Sequence, residues 1–301
     1  MYFYDLYVPI VPEVDVEYPY DRAVETVCAA LAPLGETYVG DLRRGFGSRW
    51  VDVLENQGKR SGAYQGGAYA TPPFVLLNYQ NTLNDVFIIA HEMGHAMHAY
   101  YTRRAQPFVY GDNNIFVAEV ASTANEQLLT HHLLRQTTDP ALRRYLINYN
   151  LESFRRTLYR QTMFAEFELW LHEQVEAGQA LTVETLAEQY RQLNADYYGP
   201  DLTLDDDIAL EWSRVPHFYY NFYVFQYATG MSAAVALSQQ ILNEGGPAVE
   251  RYLGFLRSGN SDYPINVLQR AGVDMASPAP VQQALDVFGD LLAEMEAVVA
   301  K

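Results

Sequence analysis

The 301-residue sequence predicts a mainly α fold with a small β-sheet (α+β), as a single domain over residues 1–301. Three observations predict it. From Thr82 onward the chain reads as a succession of capped runs with apolar residues at helical spacing. Before that point lie two short runs of strand character. No repeat, low-complexity tract or linker divides the chain, and its 49% hydrophobic content, with 24 Tyr and 14 Phe, is enough for a sizeable core.

In order along the chain, Asp21 to Leu34 places Ala23, Val24, Val27, Ala30, Leu31 and Leu34 at helical spacing, with Gly35 as the stop. Ser61 to Tyr69, rich in Gly and Tyr, and Phe74 to Asn78, after Pro72-Pro73, read as strands. Thr82 with Asp85 resembles a capping box that opens a helix through about Tyr101. A second helix covers about Asn114 to Gln136. Asp139-Pro140 is a cap followed by Pro at the first helical position, and a long helix runs from there to Gly178. Thr182 caps another, ended by Gly199-Pro200. Further helices are expected after Pro216, after Pro247 and near the C-terminus.

The formal net charge of −17 repels phosphate backbones, so nucleic acid is excluded as a partner, while metal ions and basic peptides are favoured. Cys28 is the single cysteine; no intrachain disulfide can form, and a reducing cytoplasm fits. Met1 to Pro12 lacks a charged segment followed by an apolar one, and no stretch of about 18 apolar residues occurs, so no membrane span or membrane partner is expected.

The chemistry concentrates at His91-Glu92-Met93-Gly94-His95. Residues four apart on a helix project from one face, so His91 and His95 can share a cation, and imidazole is a zinc ligand. Glu92 stands beside them, placed to act on a metal-activated water. The preceding Val86-Phe87-Ile88-Ile89-Ala90 is apolar, which makes the helix buried; two histidines and a glutamate there need partners. A catalytic zinc needs a third protein ligand and an open position. Glu119, alone in the apolar stretch Ile115 to Ala121 on the next helix, is the best candidate. Glu126, seven residues on and on the same face, can fix a histidine tautomer from outside the ligand set. His98 reads as a hydrogen-bonded or core histidine, and His131, His132 and His172 as structural or solvated.

Several segments then match a family in order: GKRSGAY (Gly58 to Tyr64), LLNYQNTLNDVF (Leu76 to Phe87), HEMGHAMH (His91 to His98), FVAEVASTANE (Phe116 to Glu126) and PHFYYNFYVFQYATG (Pro216 to Gly230). On these the chain resembles the catalytic part of oligoendopeptidase F, a relative of thimet oligopeptidase. The resemblance implies a zincin-type catalytic domain, with an HExxH helix and a Glu-bearing helix, in a cytoplasmic zinc-dependent endopeptidase acting on short unfolded peptides. It implies one zinc per chain on His91, His95 and Glu119, with Glu92 as base. Family members are usually about twice this length, and a helical half forms the opposite wall of their channel. A homodimer that rebuilds such a channel over the aromatic surface around Phe218 to Tyr227 is therefore a possible assembly. Where the family often reads YVYQY this chain has Phe225, which has no hydroxyl.

The expected mechanism is attack by a zinc-bound water, with Glu92 taking its proton and passing it to the leaving amine. His217, Tyr220 and Tyr223 are the candidate donors to the oxyanion. Gly62, Ala63 and Tyr64 lie in an expected edge strand that could pair with an extended substrate. Two other readings compete: a non-catalytic peptide- or metal-binding remnant, and a carboxypeptidase or dipeptidase anchoring a terminus at Arg60 or Arg214. Retention of Glu92 argues against the first.

Overall fold

The computed structural model describes residues 1–12, 14 and 16–299. After a short 3-10 turn at Phe3–Tyr7 come α1 (Tyr20–Ala30) and α2 (Glu36–Gly47), then β1 (Val51–Asp52), β2 (Tyr64–Gly66) and β3 (Phe74–Leu76). The remainder is helical: α3 (Leu83–Ala105), α4 (Ile115–Gln136), α5 (Pro140–Phe154), α6 (Arg160–Glu176), α7 (Val183–Tyr198), α8 (Phe225–Glu244), α9 (Gly246–Leu256), α10 (Pro264–Ala271) and α11 (Ala279–Val299). This is the mainly α class with a small sheet that the sequence predicts. No described helix is long and apolar enough to cross a membrane.

The structure corrects five expected spans and adds one helix. The run Asp21 to Leu34 is not one helix: α1 stops at Ala30 and Ala32–Leu34 form a 3-10 turn. Pro33 is the cause, since it lacks an N–H and its ring would meet the carbonyl four residues back. α2, not expected, begins directly after Gly35, whose φ of 93° suits glycine. β2 is shorter than Ser61 to Tyr69, because Gly62 and Gly67 adopt φ of 88° and 130° on either side of it, and β3 ends at Leu76 rather than Asn78. The long helix from Pro140 passes through a wide π turn at Arg155–Tyr159 between α5 and α6. After Pro216 there is only the 3-10 turn Pro216–Tyr219; helix resumes at Phe225.

The expected caps are present. Thr82 Oγ1 accepts from Asp85 N, and Asp85 Oδ2 accepts from Thr82 N at 2.8 Å, so α3 starts with two orphan donors satisfied. Asn114 Oδ1 accepts from Phe116 N at 2.9 Å at the head of α4. α3 runs past Tyr101 to Ala105, and Gln106 takes extended geometry ahead of Pro107.

The chain forms two compact units, one of Met1–Glu13 with Asn148–Ala228, the other of Val14–Ile147 with Thr229–Lys301. The larger unit holds the sheet, in order β1-β3-β2. β1 runs parallel to β3 with Val51 opposite Val75; β2 runs antiparallel with Gln65 opposite Val75. Lys59, its side chain 4% exposed, donates to the carbonyls of Asp52 and Leu54 and holds the β1 end to the following loop. α3 and α4 lie against each other at the centre of this unit, burying Val86, Ile89, Met93, Met97, Val120 and Ala124. In the smaller unit Phe164, Phe167, Tyr190, Leu193 and Val224 form the core, and the buried Glu211 accepts from Arg160 at 2.6 Å and from Tyr190 at 2.7 Å. Both partners keep that buried charge from being orphaned.

Candidate metal centre

α3 and α4 approach so closely because Gly94 has no side chain. A Cβ there would stand 2.5 Å from Ser122 Cα and 2.8 Å from the Ala121 carbonyl oxygen. A second tie is Asn125, fully buried on α4, which donates to the Ala90 carbonyl at 3.0 Å beside His91. These contacts bring one face of α3 to the carboxylates of α4.

His91 Nε2 and His95 Nε2 stand 3.2 Å apart, and each lies 3.3 Å from Glu119 Oε2. The three atoms make a nearly equilateral triangle. Ligand atoms about 2.0–2.1 Å from a tetrahedral zinc stand about 3.3 Å from one another. The residues therefore fit the ion, and they are the one His/Cys/Asp/Glu group of ligand geometry among the described residues. His91 Nδ1 donates to Glu126 Oε1, which leaves Nε2 free to ligate. Ser122 Oγ donates to Glu119 Oε2 at 3.0 Å and holds that carboxylate in place.

The electrostatics point the same way. Burial pulls the His91 imidazole down, but hydrogen bonds to Glu119 and Glu126 outweigh it, and its net shift is upward from the ordinary value. Burial raises the Glu119 carboxyl, and His91 and His95 reverse that, so its net shift is downward. Side chains that so favour positive charge among them suit a cation. Glu92 is 7% exposed, and its Oε2 has no hydrogen-bond partner among the described residues. Burial raises its carboxyl above the usual range. His98 is a core residue, its ring tilted 42° against that of Phe255 at 4.8 Å and pushed by burial down to about 3.

Replacing Glu126 with Ala should weaken metal binding about 10- to 100-fold, because His91 loses the acceptor that sets its tautomer. Competition with a chelator reads this directly; unchanged affinity would remove Glu126 from the site.

The other sequence-predicted residues fall in two places. Gly62 and Ala63 lead into β2, an outer strand of the sheet that begins at Tyr64 and packs against α3. Tyr64 is exposed, but the Gly62 carbonyl accepts from Asn78 Nδ2 at 2.8 Å, as does that of Arg60 at 2.9 Å. His217, Tyr220 and Tyr223 belong to the smaller unit. His217 and Tyr223 stack at 5.3 Å with rings 7° from parallel, and the exposed Tyr220 ring lies 6.3 Å from His217 and 5.9 Å from Tyr223. Tyr227, which sequence reasoning did not single out, joins them: its hydroxyl lies 3.4 Å from His217 Nε2 and 3.4 Å from the Tyr223 hydroxyl. Its place four residues after Tyr223 was the available signal. The segment between is held by Glu168, 1% exposed, whose Oε1 accepts from Phe222 N at 2.7 Å. That bond, with His172 stacked on the Phe222 ring at 4.3 Å, supports the left-handed φ of 51° at Phe222. Arg214, one suggested anchor for a peptide terminus, already pairs with Glu211.

The chain is similar to known proteins along nearly all of its length. Peptidase family M3 matches residues 3–287. Oligopeptidase PepF of Bacillus subtilis is 52% identical over 301 residues, all of this chain and 45% of the relative. Group B oligopeptidase PepB of Streptococcus agalactiae is 48% identical over 99% of the chain and 49% of its own length. The chain thus spans about half the length of the curated relatives it matches. The crystal structure of oligoendopeptidase-F from Enterococcus faecium superposes with a TM-score of 0.78 at 39% identity, covering 100% of this chain and 47% of that one. A solved structure from Chlamydophila abortus reaches 0.91 at 42% identity, over 99% and 50%.

Proposed function

The chain belongs to peptidase family M3, and on that premise we propose that it carries the catalytic centre of a zinc-dependent endopeptidase acting on oligopeptides. The observation that carries the reading is the triangle of His91 Nε2, His95 Nε2 and Glu119 Oε2, with sides of 3.2, 3.3 and 3.3 Å.

His91, His95 and Glu119 would hold the zinc, one per chain, leaving a fourth position open. Bound there, zinc would supply a Lewis acid that acidifies water and polarises the scissile carbonyl. Glu92 takes the proton of the attacking water and returns it to the leaving amine. Its buried Oε2, which has no hydrogen-bond partner among the described residues, is the atom for that transfer. Ser122 and Glu126 orient the ligands. The His217–Tyr223–Tyr227 cluster has the donors that an oxyanion needs, and Phe225 does not. The free edge of β2 suits an extended peptide backbone, with Tyr64 beside it. The cytoplasm is the compartment that suits a single unpaired cysteine.

Elemental analysis should return one zinc per chain, and His91→Ala should lose it. Full zinc in His91→Ala would sink the assignment. A peptide blocked at both ends separates the endopeptidase from an enzyme that trims termini: cleavage at an internal bond is expected, and refusal of every blocked peptide would transfer the activity to chain ends.

A further inference from the structure

Beyond the metal centre, the larger unit has a cleft of about 450 Å³ lined by His131, His132, Arg135, Gln136 and Leu128 of α4 and by apolar residues of other elements that include Leu242. Its volume falls in the range of small-molecule sites, about 300–1,000 Å³. Leu128 and the four polar residues lie on the last turns of α4. His131 is twelve residues beyond Glu119, about 18 Å along the helix at its regular rise, so the cleft is distinct from the metal centre.

Its charge is unusual for this chain. The sequence has 37 acidic residues against 20 lysines and arginines, yet no acidic residue lines the cleft among the described residues. Burial pulls both imidazoles below their ordinary value, and the Arg135 guanidinium acts on His131 in the same direction. Arg135 supplies the fixed positive charge of the cleft. The carbonyls at the helix end, which would repel an anion, are in part already engaged: Leu133 O by Thr137 N at 3.0 Å and Leu134 O by Arg143 Nη1 at 2.8 Å.

From this juxtaposition of a guanidinium, two imidazoles and an aliphatic wall, we propose that the cleft binds a small organic carboxylate with an aliphatic body, about the size of an N-acylated amino acid. Arg135 presents a planar fork that matches a carboxylate. The imidazole N–H groups and the Gln136 amide are further donors. Leu128 and Leu242 receive the alkyl group. The proposal is independent of the peptidase reading.

Isothermal titration of the zinc-loaded full chain with N-acetyl-leucine tests it. One binding event is expected. N-acetyl-leucinamide, which lacks the charge, and inorganic phosphate, which lacks the alkyl body, should each bind about tenfold more weakly or worse. Arg135→Gln, a change at an exposed position, should lose about tenfold or more in affinity while peptide cleavage stays unchanged. His91→Ala should bind N-acetyl-leucine as the parent does. The proposal is overturned by the absence of binding, by equal binding of the amide or of phosphate, by undiminished binding in Arg135→Gln, or by loss of binding in His91→Ala, which would place the ligand at the metal centre.

Discussion

Glu92→Gln keeps one zinc per chain and loses about 10²–10⁴-fold in kcat. The substitution is nearly isosteric and leaves His91, His95 and Glu119 untouched, so metal content and melting temperature hold. What disappears is the basic oxygen. Glu92 is 7% exposed and its Oε2 has no partner among the described residues, so no neighbouring group there takes over the proton transfer. The amide nitrogen of Gln can donate but cannot accept a proton from water. Because the proton moves only during reaction, kcat should fall while KM changes little. Metal-replete Glu92→Gln with more than about a tenth of the parental turnover would remove Glu92 from its role. A parallel loss of zinc would show instead that the carboxylate supports the ligands.

The metal triad was legible in the sequence because its signals are local. The spacing of His91 and His95 puts them on one face, and Glu119 stands alone among apolar neighbours on a capped helix. What the sequence hid depends on contacts between distant segments. α2 was obscured by Gly40, Gly45 and Gly47, which lower helix propensity; Gly45 is there because a Cβ would meet the Trp50 ring at 2.7 Å. The break at residues 220–224 comes from the Phe222 turn, held by Glu168 from 54 positions away, and no local rule assigns a left-handed φ to phenylalanine. β1 is two residues long and is defined only by its pairing with β3. Likewise, His131 and His132 read as solvated or structural until α1 and α8 supply the opposite wall of their cleft. In the motif itself, Gly94 reads as a variable position, yet it sets the distance between the helices.

Gly94→Ala should therefore damage folding and metal binding together. Its new Cβ would lie 2.5 Å from Ser122 Cα, 2.8 Å from Ala121 O and 2.9 Å from Ser122 N. All three are backbone atoms of α4, so no side chain can swing aside. Ordinary carbon contacts are about 3.5–4.0 Å, and the helices must part by about 1 Å to restore them. Two effects compete. Alanine gains about 0.5–1 kcal/mol over glycine within a helix, and overpacking a well-filled core costs about 1–3 kcal/mol. The second is larger, so the net is destabilising. The same displacement opens the ligand triangle, since His91 and His95 flank Gly94 on α3 while Glu119 lies one turn before Ser122 on α4. A site loosened by about 1 Å no longer holds its geometry, and zinc affinity should fall about tenfold or more. Gly40→Ala on α2 is the control. Nothing lies within 4 Å of its Cβ and its backbone is ordinary helix, so stability there should hold or rise slightly. Thermal melts with and without zinc, together with chelator competition, measure both effects. If Gly94→Ala melts and binds zinc as Gly40→Ala does, the close approach of α3 and α4 does not hold the ligands together.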